Sequence, residues 1–383
     1  MPSRAPKLTP ICPALRCIII GAGVAGLTAA LCLHRSGHTV TILEKSHFLT
    51  ETGAALAMGP NASGLLIDLG WNPISSGAMV PEGFVSILGR EEKVRAKMCL
   101  KEYSKKWKKP WLSVHRVDLH RELQRLVVEG GGVVVLGTRV DIVDVESGTV
   151  VLEDGRVYEG DVVIGADGNN SVTRKVIAPE AVLKPWGKSC YRWLVDREIL
   201  IADPETKTFT EHEGCIYDVA GPEGKFVMYP CRDNTMFNFV AFLPDEELAA
   251  EGDDWDKRGN KAKLLSGFSN FSPAARKLLS LAGEDLKVWQ LVVMDPLPHW
   301  DAGRVALIGD AAHPTLPFLS QGAGLAIEDA ISIGVLLGPG TGPEEIPALL
   351  KLYSEIRRPR ADYVQEQSRV HGLDENKGRP PRK

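Results

Sequence analysis

Three separated stretches of the chain each run apolar and then break on glycine or aspartate. They are RCIIIGAGVAG at residues 16–26, VVIGADGNNSVTR at 162–174 and VALIGDAAHP at 305–314. A short Ile/Val/Leu run bounded by turn residues reads as a strand of a parallel sheet buried on both faces. One glycine pattern arises easily by chance. Three in this order require a chain that leaves a nucleotide-binding sheet and returns to it twice.

The first stretch opens a βαβ unit: a strand over Arg16 to Ile20, a helix from Val24 to Ser36 stopped by Gly37, and a strand from Thr39 to Leu43. Its crossover should be right-handed. In GAGVAG, Gly21 permits the tight turn, Gly23 lets the backbone approach a pyrophosphate, and Gly26 lets the helix pack against the sheet. The phosphates then face free N–H groups at the positive end of the helix. Glu44 closes the second strand, where a carboxylate accepts from ribose hydroxyls. In the second stretch, Asp167-Gly168 ends a strand, and Asp167 either accepts from a sugar hydroxyl or caps the next helix. In the third, Gly309-Asp310 again puts a carboxylate within the chemistry of a ribose hydroxyl. Gln321-Gly322 then opens a helix over Ala323 to Leu337, whose N–H groups would stabilise anionic charge on a bound ring.

Composition narrows the class. The 383 residues carry a formal net charge of -4, so no basic field recruits nucleic acid or an anionic membrane. Seven cysteines are odd in number and form no CxxC pair, which favours a reducing, cytoplasmic setting over a disulfide framework. The nine histidines show no metal-ligand spacing, and no metal is expected. Cys17 to Leu33 is apolar enough to be weighed as a signal or membrane span. Gly21, Gly23 and Gly26 interrupt it where a turn is needed, so a buried strand, turn and helix is preferred.

Along the chain, residues 1–14 read as a flexible leader and 371–383 as a disordered tail. Residues 15–178 form the nucleotide domain, with an excursion near 75–105, and 179–287 form a second domain. There, Cys190–Val195, Gly214–Val219, Lys225–Pro230 and Met236–Phe242 alternate as antiparallel strands. Residues 288–340 return to the nucleotide domain and 341–370 form a C-terminal helical segment. Trp111 to Val127 reads as an amphipathic helix, and the basic run 101–110 as a solvated loop.

These residues together resemble the single-component FAD-dependent aromatic hydroxylases, in their salicylate-hydroxylase-like branch. GAGVAG with Glu44 is similar to that family's nucleotide motif, GADGNNSVTR to its DGxxSxxR motif, and GDAAHPTLPFLSQGAGLAIEDA to its GD motif and following helix. The resemblance spans roughly residues 15–370. It implies an α/β fold: a Rossmann-like FAD-binding domain with an inserted antiparallel substrate sheet and a C-terminal helix. It also implies NAD(P)H, either NADPH or NADH, reducing FAD, with O₂ adding at flavin C4a as a hydroperoxide that hydroxylates an aromatic, phenol-like small molecule. Secondary metabolism is the expected setting. GAALAMGPNA, with Ala55, resembles the loop beside the flavin, and HRVDL suggests that Arg116 contacts the FAD phosphates or adenosine. Pro317 and Gln321-Gly322 would line the flavin edge. In CYRWLV, Arg192 is a candidate substrate anchor, against a surface ion pair with Asp196 or Glu198. Tyr217 and Tyr229 are candidate hydroxyl groups near the ring, and His313 either lies near the flavin or packs at a helix start. The family continues past the long C-terminal helix where this chain stops, which suggests a less covered pocket or a homodimer. The weighed alternatives are a reductase or halogenase of similar fold, the latter lacking its WxWxIP segment, and a non-catalytic flavin-binding protein.

Overall fold

A computed structural model describes residues 14–47, 54–207, 209, 214–245 and 258–373. All but one residue of the leader, all but three residues of the tail, and Gly53 of the GAALAMGPNA loop lie outside the described residues.

The three apolar stretches lie side by side. Arg16–Ile20 pairs in parallel with Thr39–Glu44 on one edge and Val162–Gly165 on the other. Val305–Leu307 extends the sheet beyond Val162–Gly165, Val133–Leu136 extends it beyond Thr39–Glu44, and the short strand Asp301–Ala302 closes one edge. The strand order therefore reverses at the first strand, and in open α/β sheets such a switch point is where ligands bind. Ile18, Ile19, Val163, Ile164, Ala306 and Leu307 are all buried, as expected of strands covered on both faces.

A second sheet of seven strands takes the order Lys287–Met294, Leu183–Asp196, Met236–Pro244, Lys225–Cys231, Ile216–Ala220, Gly83–Leu88, Lys93–Cys99. All four segments that alternate in the sequence are strands here. The last strand, Lys287–Met294, pairs with Leu183–Asp196 and so belongs to this sheet, past the point where the chain was expected to return. Alternation gives the sheet two faces. Tyr191, Trp193, Tyr217, Met228 and Phe239 pack with Leu264 and Leu278 of two covering helices, Lys261–Gly267 and Pro273–Ser280, and with Phe268 just after the first. Trp193 stacks on Phe239 at 5.0 Å between ring centroids. Cys190, Tyr229, Val240 and Phe242 point the other way, toward Ala55 and Leu316 of the nucleotide half.

Two expectations are corrected. The helix placed at Trp111 to Val127 begins only at Arg116 and runs to Glu129. Leu112–His115 is instead a strand, pairing antiparallel with Ala55–Met58, because its backbone completes the ladder beside the strand in GAALAMGPNA. The basic run is not a loop: Leu100–Trp107 is a helix whose only buried residue is Leu100, so its lysines are its solvated face.

Candidate active site

The glycine turn is fixed by close approach. Gly21 has φ +100°, and a Cβ there would lie 2.5 Å from the Ala166 carbonyl oxygen at the end of the second returning strand. A Cβ on Gly26 would lie 2.0 Å from the Gly21 carbonyl oxygen. Gly23 is the opposite case, since nothing of the protein stands within 4 Å of its would-be Cβ. The helix Val24–Arg35 starts there with no side-chain cap and no acidic residue in its first turn. Its free N–H groups face a cradle open to an outside anion, which fits a pyrophosphate.

Glu44 stands at this turn and shapes it. Its carboxylate accepts from the Ala22 N–H at 2.7 Å and the Ser46 N–H at 2.8 Å. His120 Nε2 donates to the Ala22 carbonyl at 2.7 Å. The sequence reading missed His120; its signal was a polar residue on the buried stripe beside Leu119 and Leu123.

Asp167 resolves in favour of capping. Its carboxylate accepts from Ser171 Oγ at 2.7 Å, the Val172 N–H at 2.8 Å, the Thr173 N–H at 3.1 Å and Thr173 Oγ1 at 3.2 Å. Four donors on one carboxylate fix this turn. The adjoining Gly168 has φ +72° and nothing within 4 Å of its would-be Cβ. Arg174, quoted with the motif but given no role, joins the second and third returns. Its guanidinium is buried and donates to the carbonyls of Asn169, Asp310 at 3.2 Å and Ala311 at 3.0 Å.

Asp310 is exposed at its surface yet lies deep among protein groups, the signature of a cleft wall. Desolvation raises its carboxyl above the usual carboxylate range, while His313, Arg116 and Arg174 pull it back. Arg116 starts its helix with its backbone N–H on the Ala54 carbonyl at 2.7 Å, so it reaches the same cleft.

Behind this loop lies a buried ionic network. Gly309 donates its N–H to Asp329 Oδ2 at 3.0 Å, His313 Nε2 lies 2.5 Å from the same oxygen, and Arg357 Nε donates to Oδ1 at 2.8 Å. Burial alone would lower the His313 pKa, but Asp329 reverses this and raises it. Arg357 and Arg360 also pair with Glu328, and Asn61 Nδ2 donates to Glu328 at 2.8 Å and to Gln321 Oε1 at 3.2 Å. Gln321 is the cap position of the helix Gly322–Leu336, whose first turn holds no acid and whose cap lacks a side-chain bond. His313 therefore serves packing and charge, with its ring 5.0 Å from Trp300. The arginines come from the long helix Ile346–Gly372, which also holds the loop through Gln365 on the Pro314 carbonyl and Ser368 on the Leu316 carbonyl.

The seven-stranded sheet faces this loop. Tyr229 donates its hydroxyl to the Ala55 carbonyl at 2.6 Å, and Asn238 Oδ1 accepts from the Ala55 N–H at 3.0 Å. Tyr229 is thus on the cleft side, but its hydroxyl positions the Ala55 strand, and burial pushes its phenol well up. Tyr217 is corrected outright: register turns it to the far face, where its ring meets Phe209 edge-on at 5.9 Å. Arg192 is on the cleft face, its guanidinium 4.7 Å over the Trp289 ring, with no ion pair to Asp196 or Glu198 among the described residues. Its Nε is buried without a hydrogen bond among them. Pro317 opens the short 3₁₀ turn Pro317–Leu319, and the next residue, Phe318, packs on Phe242 at 4.7 Å.

Residues 14–368 match the family model described as an FAD binding domain. The chain is 35% identical over 372 residues to hispidin-3-hydroxylase of Neonothopanus nambi, covering 92% of this chain and 87% of that protein. The chain belongs to the FAD-dependent monooxygenase family. Among solved structures, this monooxygenase resembles a salicylate hydroxylase substrate complex, with TM-score 0.80, 30% identity and coverage of 96% of this chain and 90% of that one. It also resembles HpxO of Klebsiella pneumoniae complexed with FAD and uric acid, with TM-score 0.80, 25% identity and coverage of 93% and 87%. The monooxygenase uses FAD with NAD(P)H as co-substrate. Among the described residues no helix is long and apolar enough to cross a membrane, and no acidic, histidine or cysteine cluster could hold a metal ion.

Proposed function

We propose that this monooxygenase hydroxylates an aromatic or conjugated, phenol-like small molecule in the cytoplasm, held between its seven-stranded sheet and the Pro317–Leu319 turn. One observation carries the reading. A cationic side chain, Arg192, stands on the cleft face of that sheet with a buried Nε that makes no hydrogen bond among the described residues. The likeness to hispidin-3-hydroxylase and to salicylate hydroxylase supports a hydroxylation.

When bound, FAD supplies the redox chemistry by which NAD(P)H and O₂ deliver one oxygen atom. The chain's own residues bind, orient and shield. The open space at Gly23 and the first turn of Val24–Arg35 would take the pyrophosphate, with Glu44 and Arg116 beside the adenosine half and Asp310 accepting from a cofactor hydroxyl. The N-terminal N–H groups of Gly322–Leu336, behind Gln321, would face charge on the ring system. Arg192 would hold a phenolate or enolate oxygen by a charge-assisted bond, and Leu316, Phe318 and Phe242 would keep water out. The test is steady-state NAD(P)H oxidation by the FAD-loaded protein with and without candidate phenols. Phenol-stimulated oxidation with a hydroxylated product is expected. A protein that takes up no FAD, or oxidises NAD(P)H at one rate whatever phenol is present, would overturn the reading.

A further inference from the structure

The register of the large sheet sets out a row of five residues on the cleft face, each directly paired with the next. Arg192 pairs with Val240, Val240 with Val227, Val227 with Asp218 and Asp218 with Ser86. Directly paired residues share a face. The row therefore runs from a cation, across two valines, to a carboxylate and a hydroxyl. Arg192 and Asp218 are three strand spacings apart, about 14 Å.

Both flanks of the row are occupied. On one side the next row contains Asn238 and Tyr229, which clamp the Ala55 strand. On the other side the next row contains Phe242 and Lys225, and Phe318 lies over both, with Lys225 Nζ 5.7 Å from its ring. The row is thus the floor between the Ala55 strand and the Pro317–Leu319 turn. Its far end is a built polar group. Asp218 is 6% exposed; Ser86 Oγ donates to its Oδ2 at 3.3 Å, Lys225 Nζ pairs with its Oδ1 at 3.2 Å, and the Arg95 guanidinium lies 3.9 Å from Oδ2. A carboxylate and an ammonium side by side match a hydroxyl, which both donates and accepts.

We infer that this row selects elongated, two-ended conjugated substrates: an acidic phenol or enol at Arg192, and a second hydroxyl, about 10 Å or more away, at Asp218 and Lys225. The inference rests on the hydroxylase reading but concerns substrate length and the distal group. A one-ring phenol fills the Arg192 end alone. A distal methyl ether reaches Asp218 without a proton to give.

The test is calorimetric binding to the FAD-loaded protein. Its probes are a two-ring conjugated phenol with a distal hydroxyl, its distal methyl ether, and a one-ring phenol. The hydroxyl compound should bind about tenfold or more tightly than the ether, the size of a lost hydrogen bond to a charged group. Asp218→Asn should collapse that preference, with flavin absorbance reporting that the variant is folded. Val227→Phe, which fills the middle of the floor, should weaken the two-ring compounds more than the one-ring phenol. Equal Kd for hydroxyl and ether in the wild type, or a preference that survives Asp218→Asn, would make the Asp218 group a structural ion cluster and overturn the inference. Tight two-ended binding without phenol-stimulated NAD(P)H oxidation would instead overturn the hydroxylase reading and leave the row standing.

Discussion

On the nucleotide side of the cleft, Asp329 meets a backbone N–H, an imidazole and a guanidinium, and Asp167 accepts from four donors. On the sheet side, the Arg192 Nε is buried without a hydrogen bond among the described residues. The two carboxylates of the first region are satisfied from within. The second region is unfinished without a ligand. A buried polar atom left without a partner is costly in a fold, and such a cost persists where function requires it.

The largest expected effect falls on the satisfied side. Asp329→Ala strips the carboxylate from the buried His313 and leaves Arg357 with Glu328 alone, which should cost about 3–5 kcal/mol in chemical denaturation. A cost near zero would mean the network is incidental. Gly23→Ala puts a Cβ where no protein atom stands within 4 Å, so unfolding should be unchanged while the FAD Kd rises about 10- to 100-fold. An equal loss of stability would place Gly23 in packing and deny the cradle.

On the unfinished side, Arg192→Ala should raise KM for an anionic phenol about 10- to 100-fold, the size of a charge-assisted bond. Tyr217→Phe, on the far face, should leave kcat/KM within about twofold, since only packing near Phe209 changes. If the two variants behave alike, the assignment of the faces is wrong.

The smallest effect is on pH. The His313 pKa is raised in the folded state, so its stabilising contribution is complete below the ordinary histidine value of 6.5 and is lost as pH rises through the folded value. The melting temperature should therefore decline as pH rises above the ordinary histidine value, and His313→Asn should flatten that decline. An unchanged slope would remove His313 from the ionic network.

These differences also explain what the sequence could reveal. The three returns were legible because their backbone geometry admits few residues: Gly21 sits at positive φ against Ala166, and Asp167 caps a turn of its own chain. Both constraints are local. Arg174 and His120 were illegible because their partners, the carbonyls of Asp310 and Ala22, are distant in sequence and generic in type. Tyr217 and Tyr229 look alike in alternating strands. Only pairing decides that Tyr229 faces Ala55 and Tyr217 faces Phe209. The row from Arg192 to Ser86 draws on five strands, and no pattern along the chain encodes it.

The most direct measurement is isotopic. FAD-loaded protein, NADPH or NADH, a phenol that accelerates NAD(P)H oxidation, and ¹⁸O₂ are combined, and the product is weighed by mass spectrometry. One ¹⁸O atom in the ring product, with NAD(P)H consumed in step with it, is the expected result. Label recovered only in hydrogen peroxide, with the phenol returned unchanged, would contradict a monooxygenase whose sheet holds its substrate at Arg192.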